Sequence, residues 1–97
     1  MLVYRSEKRF LAVDLAAILA EGDPLSGTPT VEIVTKNGRA ATDLLIEDPA
    51  GPARDGTEVQ FWVEVAEDTD RGNYLAITTC ATANGETVVE EAPLVVQ

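Results

Sequence analysis

Apolar and polar residues alternate along several stretches of this chain, which is the pattern of β-strands buried on one face. The alternation is strictest over residues 57–65, where every second residue is apolar: Val59, Phe61, Val63 and Val65. A shorter alternating stretch covers residues 28–35, and the apolar segment Leu44-Leu45-Ile46 predicts a strand over residues 40–47. Residues 48–56 contain two prolines and two glycines and predict a loop.

The last quarter of the chain predicts a long β-hairpin. Residues 73–83 and 86–96 both have the composition of strands, and Asn84-Gly85 separates them. An Asn-Gly pair accepts the positive φ angles of a type I′ turn, whose twist suits paired strands. Pro93 has no N–H to donate to a neighbouring strand, so the second strand is expected to lie at a sheet edge or to bulge there. Asn37-Gly38 predicts a second turn of the Asn-Gly type.

The start of this hairpin has an informative spacing. Asp70, Gly72 and Tyr74 form the D-x-G-x-Y pattern that opens the sixth strand of immunoglobulin-like sandwiches. In such a tyrosine corner the ring enters the core and the hydroxyl bonds to the backbone upstream. We therefore predict structural roles for Tyr74, Asn84 and Gly85; an ordinary strand that begins with a tyrosine is the alternative.

The beginning of the chain is less regular. We expect residues 1–13 to form a loose arm or a short edge strand. Asp14 has the character of a helix N-cap, and Gly22 is placed to end a helical turn. Three apolar residues between them have the spacing of one helical face: Leu15, Ile18 and Leu19. A short helix or helical turn is therefore predicted over residues 15–21, with that face against the rest of the domain.

Together these elements predict an all-β fold in a single domain over residues 14–97. Its expected architecture is an Ig-like antiparallel β-sandwich of six to seven strands with one short N-terminal helical turn. Cys80 is the only cysteine, so no internal disulfide can form and core packing alone must hold the fold. The position of Cys80 within a strand predicts a buried, unreactive thiol rather than a reactive one.

The charge of the chain narrows the possible functions. Seventeen acidic and seven basic residues give a formal net charge of −10. Nucleic-acid binding needs clustered lysines and arginines, so we predict no nucleic-acid partner. No apolar run approaches the roughly 20 residues that span a bilayer, so we expect a soluble domain with no membrane partner.

The residues that usually carry catalysis are scarce. The sequence has no histidine and only two serines, and it lacks the common phosphate-binding and nucleophile motifs. We therefore predict no enzymatic activity and no cofactor. One acidic group, Glu67, Asp68 and Asp70, could supply oxygen ligands to Ca²⁺ in a loop. A solvated turn is the alternative, because these residues lack the spacing of a dedicated calcium loop.

Five apolar residues are candidates for contact with a partner protein. Trp62 falls on the polar parity of its strand, so it either covers a sheet edge or contacts a partner. Leu75 and Ile77 lie on the face opposite Tyr74 in the first hairpin strand. Leu94 and Val96 end the predicted edge strand, where they could dock on a neighbour.

Several of these segments resemble the small Ig-like phage and prophage proteins known as fiber–tail or head–tail adaptors. The resemblance rests on Gly22-Asp23 after the helical segment, on Gly72-x-Tyr74-x-Ala76, and on the hairpin turn at residues 82–87. It covers about residues 14–96. It implies a virion structural protein that has no catalytic residues.

A protein of this family would act by protein–protein contact as an adaptor in a tail or head–tail assembly. The resemblance implies other phage or prophage structural proteins as partners, with a homo-oligomer of this chain inside the assembly. It implies the bacterial cytoplasm before assembly and a virion or prophage-derived particle afterwards. The alternative function is an Ig-like cell-surface or ligand-binding module that calcium could stabilise.

Overall fold

The computed structural model of the chain describes residues 1–47 and 50–97. Those residues form eight β-strands and two single 3-10 turns, at Ala16–Ile18 and Thr42–Leu44. The strands are β1 (Leu2–Val3), β2 (Lys8–Asp14), β3 (Leu25–Thr35), β4 (Leu45–Ile46), β5 (Ala53–Asp55), β6 (Glu58–Glu64), β7 (Gly72–Thr82) and β8 (Thr87–Val96). The prediction of an all-β fold is confirmed.

The strands form two sheets that pack face to face. One has the order β1-β8-β7-β3, and the other has the order β2-β6-β4, with β5 pairing along the same β6. The pairing of β1 with β8 is parallel, and the other ladders are antiparallel. Strands three, seven and eight in one sheet, with two and six in the other, are arranged as in the immunoglobulin-like sandwich. The strand count exceeds the predicted six to seven because three strands have only two or three residues.

The inward faces of both sheets make one hydrophobic core. In and just after β6, the four alternating residues predicted from the sequence are all fully buried: Val59, Phe61, Val63 and Val65. Opposite them, β3 contributes Val31 and Ile33, and β7 contributes Tyr74 and Ala76. Complete burial of a side chain such as Phe61 contributes about 1.5–3 kcal/mol, so this shared core carries most of the stability.

The first thirteen residues belong to the sandwich. β1 pairs with the end of β8, and Val3 is fully buried. β2 pairs along its whole length with β6, from Lys8 opposite Glu64 to Asp14 opposite Glu58. Both are edge strands, so of the two alternatives for residues 1–13 the structure has the edge strand and not the loose arm. The sandwich begins at residue 2 rather than at residue 14.

The helix predicted over residues 15–21 is a single 3-10 turn. The carboxylate of Asp14 accepts a hydrogen bond of 2.9 Å from the Ala16 N–H. Leu15 is fully buried and Leu19 packs against the core, but Ile18 is 40% exposed, so the predicted apolar face is only partly formed. The N–H of Leu15 donates to the Thr57 carbonyl at 2.8 Å. This bond holds the segment beside the start of β6, and the helix ends after a single turn.

The strand predicted over residues 40–47 forms only at Leu45–Ile46, the two residues of β4. Ala40 makes one bridge to Val34, and then the chain forms the 3-10 turn Thr42–Leu44. After that turn, β4 pairs with β6 in the opposite sheet. The chain therefore crosses from one sheet to the other between Ala40 and Leu45. This crossing interrupts the predicted strand. β5 lies within the predicted loop 48–56, of which residues 48 and 49 lie outside the described residues.

The turn between β7 and β8 is one residue longer than the predicted type I′ turn. Gly85 N–H donates to the Thr82 carbonyl at 3.0 Å, and Thr82 N–H donates to the Glu86 carbonyl at 2.8 Å. Gly85 has a φ of +89°, but Asn84 lacks the positive φ of a type I′ turn. The loop therefore has three residues, a type I turn followed by a left-handed glycine.

The turn at Asn37-Gly38 repeats this design. Gly38 N–H donates to the Thr35 carbonyl at 2.8 Å, and Thr35 N–H donates to the Arg39 carbonyl at 2.7 Å. In both turns the threonine hydroxyl also accepts a hydrogen bond of 3.1 Å from the residue after the glycine. The shared T-x-N-G sequence explains why both turns choose the three-residue loop: the threonine adds a bond at the position where the strands meet.

Candidate interaction surfaces

Tyr74 forms the tyrosine corner that the sequence predicts. Its hydroxyl donates a 2.7 Å hydrogen bond to the backbone carbonyl of Asp70, and the residue is 8% exposed. Burial, together with the negative charges of Asp70 and Asp43, raises the pKa of the Tyr74 hydroxyl. Tyr74 therefore holds the acidic turn before β7 against the core, and its hydroxyl stays protonated at neutral pH.

Asn84 and Gly85 form the tip of the hairpin, and the tip is bound to the front of the domain. The Asn84 N–H donates a 2.8 Å hydrogen bond to the carboxylate of Asp23, which is only 3% exposed. The Ala83 N–H donates to the Pro24 carbonyl at 2.9 Å. The role of Asp23 escaped the sequence analysis, because its partner lies 61 positions away.

Two of the predicted interface residues lie in the core. Leu94 and Val96 on β8 are 0% and 1% exposed. Both parities of β8 carry valines, and the structure turns Val88, Leu94 and Val96 inward. β1 also covers the end of β8, through its pairing with Val95 and Val96. These two residues are therefore unable to dock on a neighbour, and the prediction is wrong for them.

Leu75 and Ile77 do lie on an outer surface, together with other apolar residues. The register places Leu75 beside Val34 and Pro93, and it places Val95 beside Leu2. We call this set the outer apolar patch: Leu2, Val34, Leu75, Ile77, Pro93 and Val95. Leu75, Ile77 and Val95 are half-buried, and Leu2 is 44% exposed. The accessible part of the patch lies on β1, β8 and β7, because Val34 on β3 is only 6% exposed.

Trp62 lies on the opposite side of the sandwich. Its ring packs at 5.1 Å between centroids against Phe10 of β2, and the Lys8 ammonium lies 5.9 Å from the centre of the Trp62 ring. Ile46 of β4 is its partner on the other side. Trp62 thus lies on the outer face of the central strand β6 rather than at a sheet edge, and its contact with a partner stays a prediction. Because Phe10 is 49% exposed, part of this aromatic pair still faces solvent.

The acidic residues of the loop before β7 are divided between two grooves. Asp68 and Asp70 line a groove that also contains Asp43 and Arg39. Glu67 lines a different groove, at the end of the sandwich. In the part of the chain that the structure describes, no three carboxylate or thiol groups are placed to hold a metal ion. The calcium site considered for these three residues therefore has no geometric support.

The groove that contains Glu67 has a volume of about 890 Å³ and also contains Arg5 and Arg71. The sequence analysis missed it, because the two arginines are 66 positions apart and only the fold brings them to one groove. Tyr4, which is 51% exposed, lies on the same wall.

The structure also shows the surroundings of two further side chains singled out in the sequence, Cys80 and Asp14. Cys80 is 2% exposed, and its thiol lies 3.4 Å from the Ser26 carbonyl oxygen, as expected of a buried thiol. Asp14 accepts hydrogen bonds from the Ala16 N–H and the Thr57 hydroxyl, which lower the pKa of its carboxyl group. Hydrogen bonds within the fold therefore account for the positions of both side chains.

Comparison with known proteins gives no family for the chain. No protein-family model matches it, and no curated protein matches it significantly. Residues 1–47 and 50–97 include no helix with the length and apolar character that a membrane crossing requires.

Proposed function

We propose that this protein is a non-enzymatic contact module, and that it acts as an adaptor in a phage-type tail or head–tail assembly. The observation that supports protein contact best is the outer apolar patch. Scattered apolar residues are normal on a protein surface, but a contiguous set across three neighbouring strands favours an interaction site. The resemblance of the hairpin and the front turn to phage adaptors supports the type of assembly.

The charges around the patch indicate the chemistry of its partner. Glu32 and Glu91 flank Ile77 on the two neighbouring strands. A partner with an apolar centre and basic residues at its rim would complement this surface. Two copies of the chain, each with a net charge of −10, repel one another. A homo-oligomer is therefore expected only where a basic partner or salt screens that charge.

Light scattering on purified mixtures tests this proposal. The chain is mixed in turn with each protein encoded beside it, and the mass of the mixture is compared with that of the components. We expect a complex with at least one neighbour. Leu75→Thr combined with Ile77→Thr should weaken it by about tenfold or more, because central apolar contacts dominate interface energies. Threonine keeps the strand preference of β7.

Phe10→Ser provides the matched control, since it removes an exposed apolar residue from the opposite sheet. The complex should keep its affinity in this variant. A chain that stays monomeric with every neighbour, or a double threonine variant that assembles like the original protein, would contradict the proposal.

A ligand-binding Ig-like module is the second candidate function, and the large groove at the end of the sandwich is the observation that favours it. A stabilising effect of calcium would support its calcium-dependent form.

A further inference from the structure

The groove at the end of the sandwich collects positive charge in an acidic protein. Its walls come from the turn after β1, from the start of β7 and from the end of β8. Two arginines, Arg5 and Arg71, line it against one acidic side chain, Glu67. The chain has only seven basic residues, so two on one groove is a marked concentration.

Two of the other arginines are engaged elsewhere, and the third, Arg39, lines the second groove with no carboxylate of the described part of the chain within 4.0 Å of its guanidinium group. Arg9 pairs with Glu7 at 3.3 Å, and Arg54 donates a 2.8 Å hydrogen bond to the Gly27 carbonyl. Arg39 lies beside the aspartates of the second groove. Within the described residues, Arg5 and Arg71 have no carboxylate within 4.0 Å of their guanidinium groups. Their guanidinium groups are therefore open to an anionic ligand.

The turn that carries Tyr4 and Arg5 is held firmly in place. Arg5 N–H donates to the Gln97 carbonyl at 2.8 Å, and Ser6 N–H donates to the Val65 carbonyl at 2.7 Å. Tyr4 N–H donates to the Glu7 carboxylate at 2.7 Å. Ser6 adopts a φ of +70°, which a residue other than glycine keeps only when its surroundings fix it. Binding would therefore cost little ordering of the backbone.

We propose that this groove binds an acidic segment of a partner protein. The guanidinium groups of Arg5 and Arg71 would hold its carboxylates, because the planar guanidinium matches a carboxylate with two parallel hydrogen bonds. The exposed ring of Tyr4 would pack against its apolar atoms. This proposal deepens the proposed function: the groove meets the outer apolar patch at Val95, so one partner could contact both.

Titration of the ¹⁵N-labelled protein with a short peptide of aspartate and glutamate, capped at both ends, tests the proposal by NMR. The matched probe has asparagine and glutamine in place of the acids. We expect the acidic peptide alone to shift the amide signals of residues 4–5, 71–73 and 95–97. The titration is run at about 150 mM salt, where the repulsion between the acidic peptide and a chain of net charge −10 is screened beyond about 8 Å.

Arg5→Gln and Arg71→Gln should each weaken binding by about two- to fivefold, the range of an exposed ion pair, and together by about tenfold. Lys36→Gln removes the same charge at the distant turn after β3, and it should leave the affinity unchanged. The dispersion of the amide signals reports whether each variant is folded.

Several results would overturn the acidic-peptide proposal. These are equal binding of the neutral peptide, signal shifts confined to other regions, or the same loss of affinity in Lys36→Gln as in the arginine variants. Tighter binding of an oligonucleotide of equal charge at Arg5 and Arg71 would also overturn it, in favour of a phosphate ligand. The titration does not require assembly, so it can fail while the adaptor proposal stands. Equally, the light-scattering test can fail while the acidic peptide binds.

Discussion

A single hydroxyl group links the acidic loop to the core at Tyr74. The ring packs among core residues, and the hydroxyl reaches back four positions to the carbonyl of Asp70. Within the turn itself, the Thr69 N–H donates to the Ala66 carbonyl at 3.2 Å, and the Tyr74 hydroxyl adds the bond to Asp70. The corner therefore stabilises the entry into the longest hairpin of the protein.

Tyr74→Phe should lower the free energy of unfolding by about 1 kcal/mol at pH 7, because it removes one partly buried hydrogen bond and keeps the ring. For a domain of this size, that corresponds to a fall of about 4–8 °C in Tm, measurable by circular dichroism. Tyr4→Phe removes a hydroxyl from a tyrosine that is 51% exposed, and it should leave Tm unchanged. Equal Tm values for Tyr74→Phe and the original protein would contradict the role of the corner.

The Tyr74 hydroxyl also makes the free energy of unfolding depend on pH in the alkaline range. Burial raises the pKa of Tyr74 above its ordinary value of 10.0, and the nearby Asp70 and Asp43 add to the shift. The fold therefore favours the protonated hydroxyl. Its contribution is complete below the unfolded pKa of about 10, and it is lost as the pH rises through the higher folded pKa. The Tyr74→Phe variant should show a smaller loss of stability above pH 10 than the original protein.

At the scale of elements, the tip of the β7–β8 hairpin is fixed by a contact with a distant segment. The buried carboxylate of Asp23 accepts the hydrogen bond of the Asn84 N–H. This contact joins the segment before β3 to the turn between β7 and β8, where the first pairs of the β3–β7 ladder also form, at Leu25 and Ser26. Asp23 therefore helps to set the register of three neighbouring strands.

Asp23→Ala should destabilise the protein by about 1–3 kcal/mol, because it leaves the partly buried Asn84 N–H without its acceptor. Asp23→Asn keeps an oxygen in the same place and should cost much less. Urea unfolding of both variants measures the difference. Hydrogen exchange should also show faster exchange at Asn84 in Asp23→Ala only. Similar losses in the two variants would mean that the charge of Asp23, rather than its hydrogen bond, matters.

The elements also show what a sequence can predict. Strict alternation in residues 57–65 and the D-x-G-x-Y spacing are local, and both led to the correct strand, core and corner. After Ala40 the chain passes from one sheet to the other. This passage depends on long-range strand pairing, which no local sequence pattern reveals. In β8, valines occupy both even and odd positions. The sequence therefore does not show whether Leu94 and Val96 face the core or the solvent. The groove of Arg5 and Arg71 exists only after folding.

At the scale of the whole molecule, negative charge opposes the compact state. The charges of seventeen acids and seven bases are held within a body of 43 × 28 × 18 Å. At low salt the Debye length of about 30 Å is comparable with these dimensions, so carboxylates on different strands repel one another. The apolar core must offset this repulsion, since the ion pair described on the surface, Arg9 with Glu7, is exposed and weak.

Raising NaCl from about 10 mM to about 150 mM at pH 7 should therefore raise Tm, by about 4 °C if screening recovers roughly 1 kcal/mol. A protein held by surface ion pairs would show the opposite sign, so a falling Tm would contradict this account. CaCl₂ at matched ionic strength is the decisive control. If the divalent ion acts only by screening, its effect should be close to that of NaCl. A larger rise in Tm, abolished by Asp68→Asn with Asp70→Asn, would instead favour the calcium-stabilised binding module.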